Sequence, residues 1–301
     1  MTGVIPNFFI PGAPKAGTSS LSYYLSQHPD IYMGLGKEPG YFSHRWEMGL
    51  DWYRSRYAGY KGQKAIGDAT PSYLSHPESA RRIKEAAPDA RFIVALRNPV
   101  ERAVSHYWHR VKRGHERRPL AEVLRRGRAE YPVYDGLYHT HISRYLELFP
   151  RENFQFCILE RMRGDTAGTV GEIFSFLGVD RSAPLGDAEP QNRAQIQRSR
   201  GLGVAAERVY RSGALRLLLP EQLRRWGGQL YRRVKSANLR RFTPPELTAD
   251  LRRTLDEYFQ PEIEALEKSL RLNLEAWKTS SGESGGVGGW EDDEEEVRSA
   301  V

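Results

Sequence analysis

Residues 7–25, Asn7-Phe-Phe-Ile-Pro-Gly-Ala-Pro-Lys-Ala-Gly-Thr-Ser-Ser-Leu-Ser-Tyr-Tyr-Leu25, decide the fold. A short apolar run from Phe8 to Ile10 leads into turn residues from Pro11 to Gly17. The hydroxyls of Thr18, Ser19 and Ser20 then precede Leu21, Tyr24 and Leu25 at helical spacing. That order predicts a strand, a tight loop and a helix, which His28-Pro-Asp30 ends.

A second unit of the same kind lies at Arg91-Phe-Ile-Val-Ala-Leu-Arg-Asn-Pro99. Its β-branched run reads as a buried strand, and Pro99 suits the first position of a helix running on through Trp108. Further strands are expected at 65–67 and 154–159, and helices at 77–87, 138–149, 169–177 and 248–270. Strands alternating with helices predict a mostly parallel α/β sheet covered on both faces, in a single domain over residues 1–278. Residues 181–240 are rich in Arg, Gln and Gly with weak periodicity and read as a long loop with short helices over the active site. From Thr279 the composition turns to Ser and Gly and then to an acidic block, so 279–301 is expected as a disordered tail.

Composition narrows the class. Hydrophobic residues at 39% and charged residues at 28%, with 16 Tyr and 6 Trp, fit a soluble folded enzyme rather than a fibrous or disordered chain. The single cysteine, Cys157, excludes an intramolecular disulfide and a cysteine-built zinc site, and its apolar setting at 154–159 predicts an inert buried thiol. The N-terminal residues show no basic patch ahead of an apolar stretch, and no run of about 18 apolar residues occurs. A cytoplasmic protein without stable membrane insertion is therefore expected. The net charge is +7, yet the tail from Thr279 holds seven acids against Arg298 alone, which leaves +13 on the body. Such an excess favours an anionic partner: nucleotide, phosphorylated or sulfated substrate, nucleic acid or membrane surface. Charge alone does not choose among them.

The first loop is built to hold an anion. Small residues allow close backbone approach, N–H groups at the helix start point outward, and the helix dipole favours negative charge. Lys15 adds a mobile point charge. The loop is not a Walker A sequence, because its lysine precedes the last glycine, so NTP hydrolysis loses weight. In the second unit Arg97 stands at the strand end and Ser105 follows eight residues later on the helix, a pair suited to a phosphate dianion. Read singly, the first loop could be no more than a capped helix and Arg97 no more than a surface ion pair.

Taken together, the two units resemble a known family. Pro14-Lys-Ala-Gly-Thr-Ser-Ser-Leu21 is similar to the 5′-phosphosulfate loop of sulfotransferases that use 3′-phosphoadenosine 5′-phosphosulfate (PAPS), and Leu96-Arg-Asn-Pro-Val-Glu-Arg-Ala-Val-Ser-His-Tyr107 to their 3′-phosphate motif. The resemblance is to the heparan-sulfate-type branch and its bacterial relatives. It extends through Lys37-Glu-Pro-Gly-Tyr-Phe-Ser43, Gly67-Asp-Ala-Thr-Pro-Ser-Tyr-Leu74, Gly136-Leu-Tyr-His139 and Asp256-Glu-Tyr-Phe259. It implies a P-loop-like central parallel sheet, PAPS as donor with 3′-phosphoadenosine 5′-phosphate (PAP) as product, no metal and no nucleic-acid partner.

Carried over by position, Lys15, Ala16, Gly17, Thr18, Ser19 and Ser20 would hold the 5′-phosphosulfate. Arg97 and Ser105 would hold the 3′-phosphate, and Lys15 would also act in catalysis. Glu38 would be the general base, a role its chemistry suits independently because a carboxylate can take the proton of an attacking hydroxyl. Its competing reading is an exposed ion pair with Lys37. Gln197-Arg198-Ser199-Arg200-Gly201 resembles the loop that closes over the nucleotide, with Arg198 and Arg200 as further contacts, or else is a solvated basic loop. Where heparan-sulfate-type enzymes have a lysine before Thr-Pro, this chain has Ala69. The expected acceptor is accordingly a hydroxyl or amine of a small molecule, glycoside or glycolipid rather than a polysaccharide. Asp68, Tyr41 and Tyr73 are its expected contacts, Asp68 otherwise assisting Glu38 or only capping the following turn, with Trp46, Trp52 and Tyr53 lining a cleft or packing in the core. His44, His106 and His109 match no family position and are expected to pack or face solvent.

Two rival readings use the same features. A nucleotide or small-molecule kinase would share the cradle but should need Mg²⁺. A basic, non-enzymatic anion-binding protein would account for the charge but leaves the two phosphate motifs without a purpose. Oligomeric state is not legible.

Overall fold

The computed structural model describes residues 4–186 and 247–278, together with the backbone of two short strands at 195–197 and 239–241. Its centre is a five-stranded sheet of β1 (Phe8–Ile10), β2 (Ile31–Tyr32), β3 (Ala65–Ala69), β4 (Arg91–Leu96) and β5 (Phe154–Ile158), in the order β2-β3-β1-β4-β5. Every pairing in it is parallel. All three residues of β1 are buried, and in β4 only Arg91 is exposed. Such continuous apolar runs are what a parallel sheet covered on both faces requires. Aromatic rings bind the strands to one another: Phe92 stacks on Phe9 at 5.9 Å and on Phe154 at 5.0 Å.

The helices are α1 (Thr18–Leu25), α2 (Gly49–Ser55), α3 (Ser79–Ala86), α4 (Pro99–Lys112), α5 (Leu120–Arg125), α6 (Tyr131–Tyr134), α7 (Tyr138–Leu146), α8 (Leu159–Gly164), α9 (Thr166–Leu177), α10 (Ala249–Leu270) and α11 (Glu275–Lys278). Local chemistry sets their limits. Asn98 caps α4, its side-chain oxygen accepting from the N–H groups of Val100 and Glu101 at 3.0 and 3.2 Å, with Pro99 at the first helical position. Asp165 caps α9 through Gly168 N–H at 2.8 Å, and Gly178 ends it in the left-handed conformation. Thr248 caps α10, whose Leu255, Phe259, Ile263 and Leu266 form the buried stripe. Tyr258, in the Asp256–Phe259 motif, donates its hydroxyl to Leu124 O at 3.2 Å and so ties α10 to α5.

The predicted strands at 65–67 and 154–159 and the four predicted helices all form, with ends that coincide or differ by at most three residues. The chain divides into two compact units. The first comprises the described residues of Met1–His106, Pro119–Gln191 and Leu247–Gly282 and contains the whole sheet. The second includes Tyr107–Arg118 and the two short strands, which pair antiparallel with Ile196 opposite Arg240. That strand pair falls where the sequence predicts loop and short helices. Within Tyr107–Arg118, Glu116 accepts from Arg118 Nη2 at 2.7 Å and Nε at 2.9 Å, and the guanidinium holds its carboxyl down to about 2. The expected tail at 279–301 lies outside the described residues. Among those residues no helix is long and apolar enough to cross a membrane.

The sheet order fixes where a site forms. From β1 the chain first builds β2 and β3 on one side, then crosses to build β4 and β5 on the other. The carboxyl end of β1 is thus a topological switch point, the crevice where open parallel sheets bind ligands.

Candidate active site

Residues 11–17 leave β1 at that switch point. The loop is fixed by its own backbone: Ala13 N–H donates to Ala95 O at 2.7 Å, Ala95 N–H to Gly12 O at 2.8 Å, and Leu74 N–H to Pro11 O at 2.7 Å. Two glycines are required by the space around them. A Cβ on Gly12 would lie 2.7 Å from the Leu74 Cβ, and one on Gly17 would lie 2.6 Å from Leu159 Cδ1. Gly17 also has φ +88°, a left-handed state that glycine takes without a steric penalty.

Gly17 leads directly into α1, and no side chain caps that helix. Thr18, Leu21 and Leu25 turn inward, which leaves Ser19 and Ser20 half-buried on the outer face of the first turn. The amides of this turn therefore lack a side-chain acceptor, the condition for an anion at a helix N-terminus. Lys15, at φ +71°, and the buried Ala16 complete the loop.

An open cleft adjoins the turn. It is lined by Thr18, Ser19 and Ser22 of α1, by Met33, Gly36, Lys37, Glu38 and Pro39, and by Ala69 at the end of β3. The structure thus brings Glu38 into one cleft with the first turn of α1. Glu38 is exposed and has φ +53°. Lys37 does not form the surface ion pair with it that the competing reading supposes: its ammonium donates to Ser19 Oγ at 2.9 Å. In the sequence Lys37 reads only as a neighbour of Glu38, and nothing local signals its bond to Ser19.

Arg97 ends β4 next to the loop, and its side chain is 17% exposed. Burial lowers its pKa, with Arg163 nearby acting in the same direction and Glu101 opposing, yet an arginine stays cationic. The Glu101 carboxylate is 3.5 Å away and also faces Arg252 at 3.7 Å, a loose pairing that leaves the guanidinium able to turn to a phosphate. Tyr138, from the Gly136–His139 motif, donates its hydroxyl to Arg97 O at 2.9 Å and fixes that strand end. Ser105 is half-buried two turns along α4. Arg97 and Ser105 stand outside the lining of the Glu38 cleft. Arg198 and Arg200 lie outside the described residues.

The three expected acceptor contacts are buried side chains. Asp68 has no exposed surface, nor has Tyr73, and Tyr41 is only 2% exposed. Tyr53 and Tyr73 donate to Asp68 Oδ2 at 2.7 and 2.9 Å, and Thr70 donates to Oδ1 at 2.6 Å. Burial pushes the Asp68 carboxyl up to about 6 against the pull of these three hydroxyls, and the charge of Glu38 adds to the rise. Tyr41 stacks on Tyr53 at 4.7 Å and meets Trp46 at 5.0 Å. None of these residues is in the lining of the cleft. Of the histidines, His106 pairs with Asp135 at 3.2 Å and His44 packs edge-on to His76 at 5.5 Å. Cys157 is 2% exposed, with its thiol pushed up to about 12 by burial, in keeping with an inert core residue. Among the described residues no cluster of three His, Cys, Asp or Glu side chains could hold a metal ion.

A parallel sheet whose switch point carries a glycine-led, uncapped helix, a loop lysine and an arginine just past a strand end defines a P-loop-like α/β protein. Residues 6–200 match the sulfotransferase domain family. The chain belongs to that family. Heparan sulfate glucosamine 3-O-sulfotransferase 6 of Homo sapiens is 38% identical over 182 residues, which cover 58% of this chain and 53% of the relative. The human 3-O-sulfotransferase 3B1 is 30% identical over 184 residues, 59% of this chain and 47% of its own. The chain spans about half the length of these curated relatives. The crystal structure of a sulfotransferase from Alicyclobacillus acidocaldarius superposes with a TM-score of 0.67 at 30% identity and covers 91% of this chain and 99% of that one.

Proposed function

We propose that the protein transfers a sulfuryl group from PAPS to a hydroxyl or amine of a small molecule, glycoside or glycolipid. The observation that carries this reading is the meeting, in one cleft, of an uncapped helix start at Thr18 and Ser19 with the exposed carboxylate of Glu38. A cradle for a nucleotide anion and a base for an attacking hydroxyl are the two things such a transfer needs. Family membership and the bacterial sulfotransferase neighbour support it.

The residues fit the donor. The outer face of the first α1 turn suits the 5′-phosphosulfate, while Arg97 and Ser105 on the adjacent strand and helix suit a 3′-phosphate. When bound, PAPS supplies the electrophilic sulfur and a 5′-phosphate leaving group. Glu38 would take the proton of the attacking hydroxyl or amine. Lys15 and the amides of Thr18, Ser19 and Ser20 would hold the phosphosulfate and stabilise the negative charge of its leaving phosphate. Lys37, by holding Ser19, keeps the base-bearing segment next to that cradle. The kinase reading lacks its Gly-Lys-Ser/Thr sequence, and the pure anion-binding reading gives Glu38 nothing to do.

The acceptor class is tested by incubating the protein with PAPS and a panel of phenols, glycosides and glycolipids, and reading PAP release and acceptor mass. Acceptor-dependent PAP release with one SO₃ gained by the acceptor supports the proposal. Phosphorylation of an acceptor by ATP and Mg²⁺ instead would replace it with the kinase reading.

A further inference from the structure

Asp68 is a carboxyl on a central strand with no exposed surface, so it meets neither donor nor acceptor. A buried acid is destabilising unless its hydrogen bonds are complete, and here hydroxyls from three separate positions complete them. One of the three does more than satisfy the carboxylate. Thr70 Oγ1 spends its only hydrogen on Asp68 Oδ1, and the same oxygen accepts the N–H of Gly40 at 3.3 Å. The acid thereby fixes the direction of the Thr70 hydroxyl, turning its lone pairs to Gly40.

Gly40 closes a segment that is clamped along its length. Leu35 N–H donates to Arg56 O at 2.7 Å, and Arg56 Nη2 returns a bond to Leu35 O at 2.9 Å. Arg45 Nη1 donates to Pro39 O at 2.8 Å, and Lys37 reaches Ser19. Between these clamps sits Glu38, in a left-handed conformation that a residue with a side chain holds only when its surroundings enforce it. Of the clamps, the link at Gly40 is the one that reaches from the buried sheet to the exposed cleft.

We propose that Asp68 is a positioning residue that, through the hydroxyl of Thr70 and the amide of Gly40, holds Glu38 in its left-handed conformation at the cleft. The proposal rests on the sulfotransferase reading for the meaning of that position, though not for the relay itself. In this chain the position before Thr70 is the small, cleft-lining Ala69, so the conformation of the base is governed from beneath.

The test compares the full-length wild type with Thr70→Val, Thr70→Ser and Asp68→Asn, after circular dichroism has shown which variants fold. Val at 70 keeps the shape and removes the hydroxyl, so it serves even if Asp68→Asn fails to fold. Amide exchange over residues 34–41, read by mass spectrometry, needs no substrate, and Thr70→Val should exchange about tenfold faster there. With PAPS and the best acceptor of the panel, its kcat should fall at least about tenfold with the KM for PAPS little changed, since misplacing a reacting group acts on the chemical step. Thr70→Ser should restore most of both losses. A folded Thr70→Val with wild-type exchange, or with faster exchange but wild-type kcat, overturns the positioning role. A wild type that neither binds PAP nor turns over PAPS overturns the sulfotransferase reading and with it the purpose of the relay, an outcome told apart because exchange still reports on the relay itself.

Discussion

The ammonium of Lys37 donates to Ser19 Oγ at 2.9 Å, joining the segment that carries Glu38 to the first turn of α1. Glu38 and that turn, about twenty residues apart in sequence, line one cleft, where the proposed function makes them base and anion cradle.

This division of labour predicts that binding and chemistry separate by mutation. Glu38→Gln should retain PAP affinity while its kcat falls by a factor of about a hundred or more, the scale of lost general-base catalysis. Arg97→Ala should weaken PAP binding first, by roughly tenfold or more, because it removes a charge-assisted fork from a phosphate. Calorimetry with PAP and steady-state turnover of PAPS check both. Normal transfer by Glu38→Gln would mean that another base operates.

Lys15→Ala should be nearly inactive at saturating PAPS, with a loss of about a hundredfold or more in kcat, since one preorganised donor to a developing charge is worth that much. Circular dichroism and thermal unfolding of the variant, measured alongside, separate lost chemistry from lost folding. Turnover like that of the wild type would remove the lysine from the mechanism.

Gly17→Ala should lower stability by about 1–3 kcal/mol through a strained left-handed backbone and the contact with Leu159, and it should also weaken PAP binding as the cradle shifts. Chemical denaturation and PAP titration measure the two effects.

The pH dependence of stability should carry the mark of Asp68. Its folded pKa of about 6 lies above the unfolded value of 3.8, so the protonated form favours folding. That contribution is fully present below pH 3.8 and is lost as the pH rises through about 6. Wild type should therefore lose stability relative to Asp68→Asn between about pH 4 and pH 7, by an amount on the order of 2–3 kcal/mol. Parallel denaturant titrations across that range check the sign. A difference between the two proteins that does not change with pH would show that Asp68 keeps an ordinary pKa.

Much of the frame was legible because local signals agreed. β1 and β4 announce themselves as apolar runs closed by Pro-Gly and by Asn-Pro, and the chemistry of their loops follows from the same residues. β2, at two residues, is too short to leave a pattern, and α2 opens on Gly49 without a side-chain cap. The surroundings of Asp68 are less legible for a different reason. In sequence, Asp68, Tyr41 and Tyr73 read as acceptor contacts, and nothing local marks them as buried. The hydroxyls that satisfy Asp68 come from Tyr53, fifteen positions earlier, as well as from Thr70 and Tyr73 close by, and only the packed sheet shows that they converge. Lys37 was misassigned for a similar reason, because its partner at Ser19 is eighteen residues away and its neighbour Glu38 carries the opposite charge.

The most direct test of the central claim is calorimetric titration of the purified protein with PAP, with ADP and ATP as controls, in the presence and absence of Mg²⁺. The account predicts metal-independent binding of PAP that is much tighter than that of ADP, since only PAP carries the 3′-phosphate that Arg97 and Ser105 are proposed to hold. Preference for ATP with Mg²⁺, or no nucleotide binding at all, would contradict it.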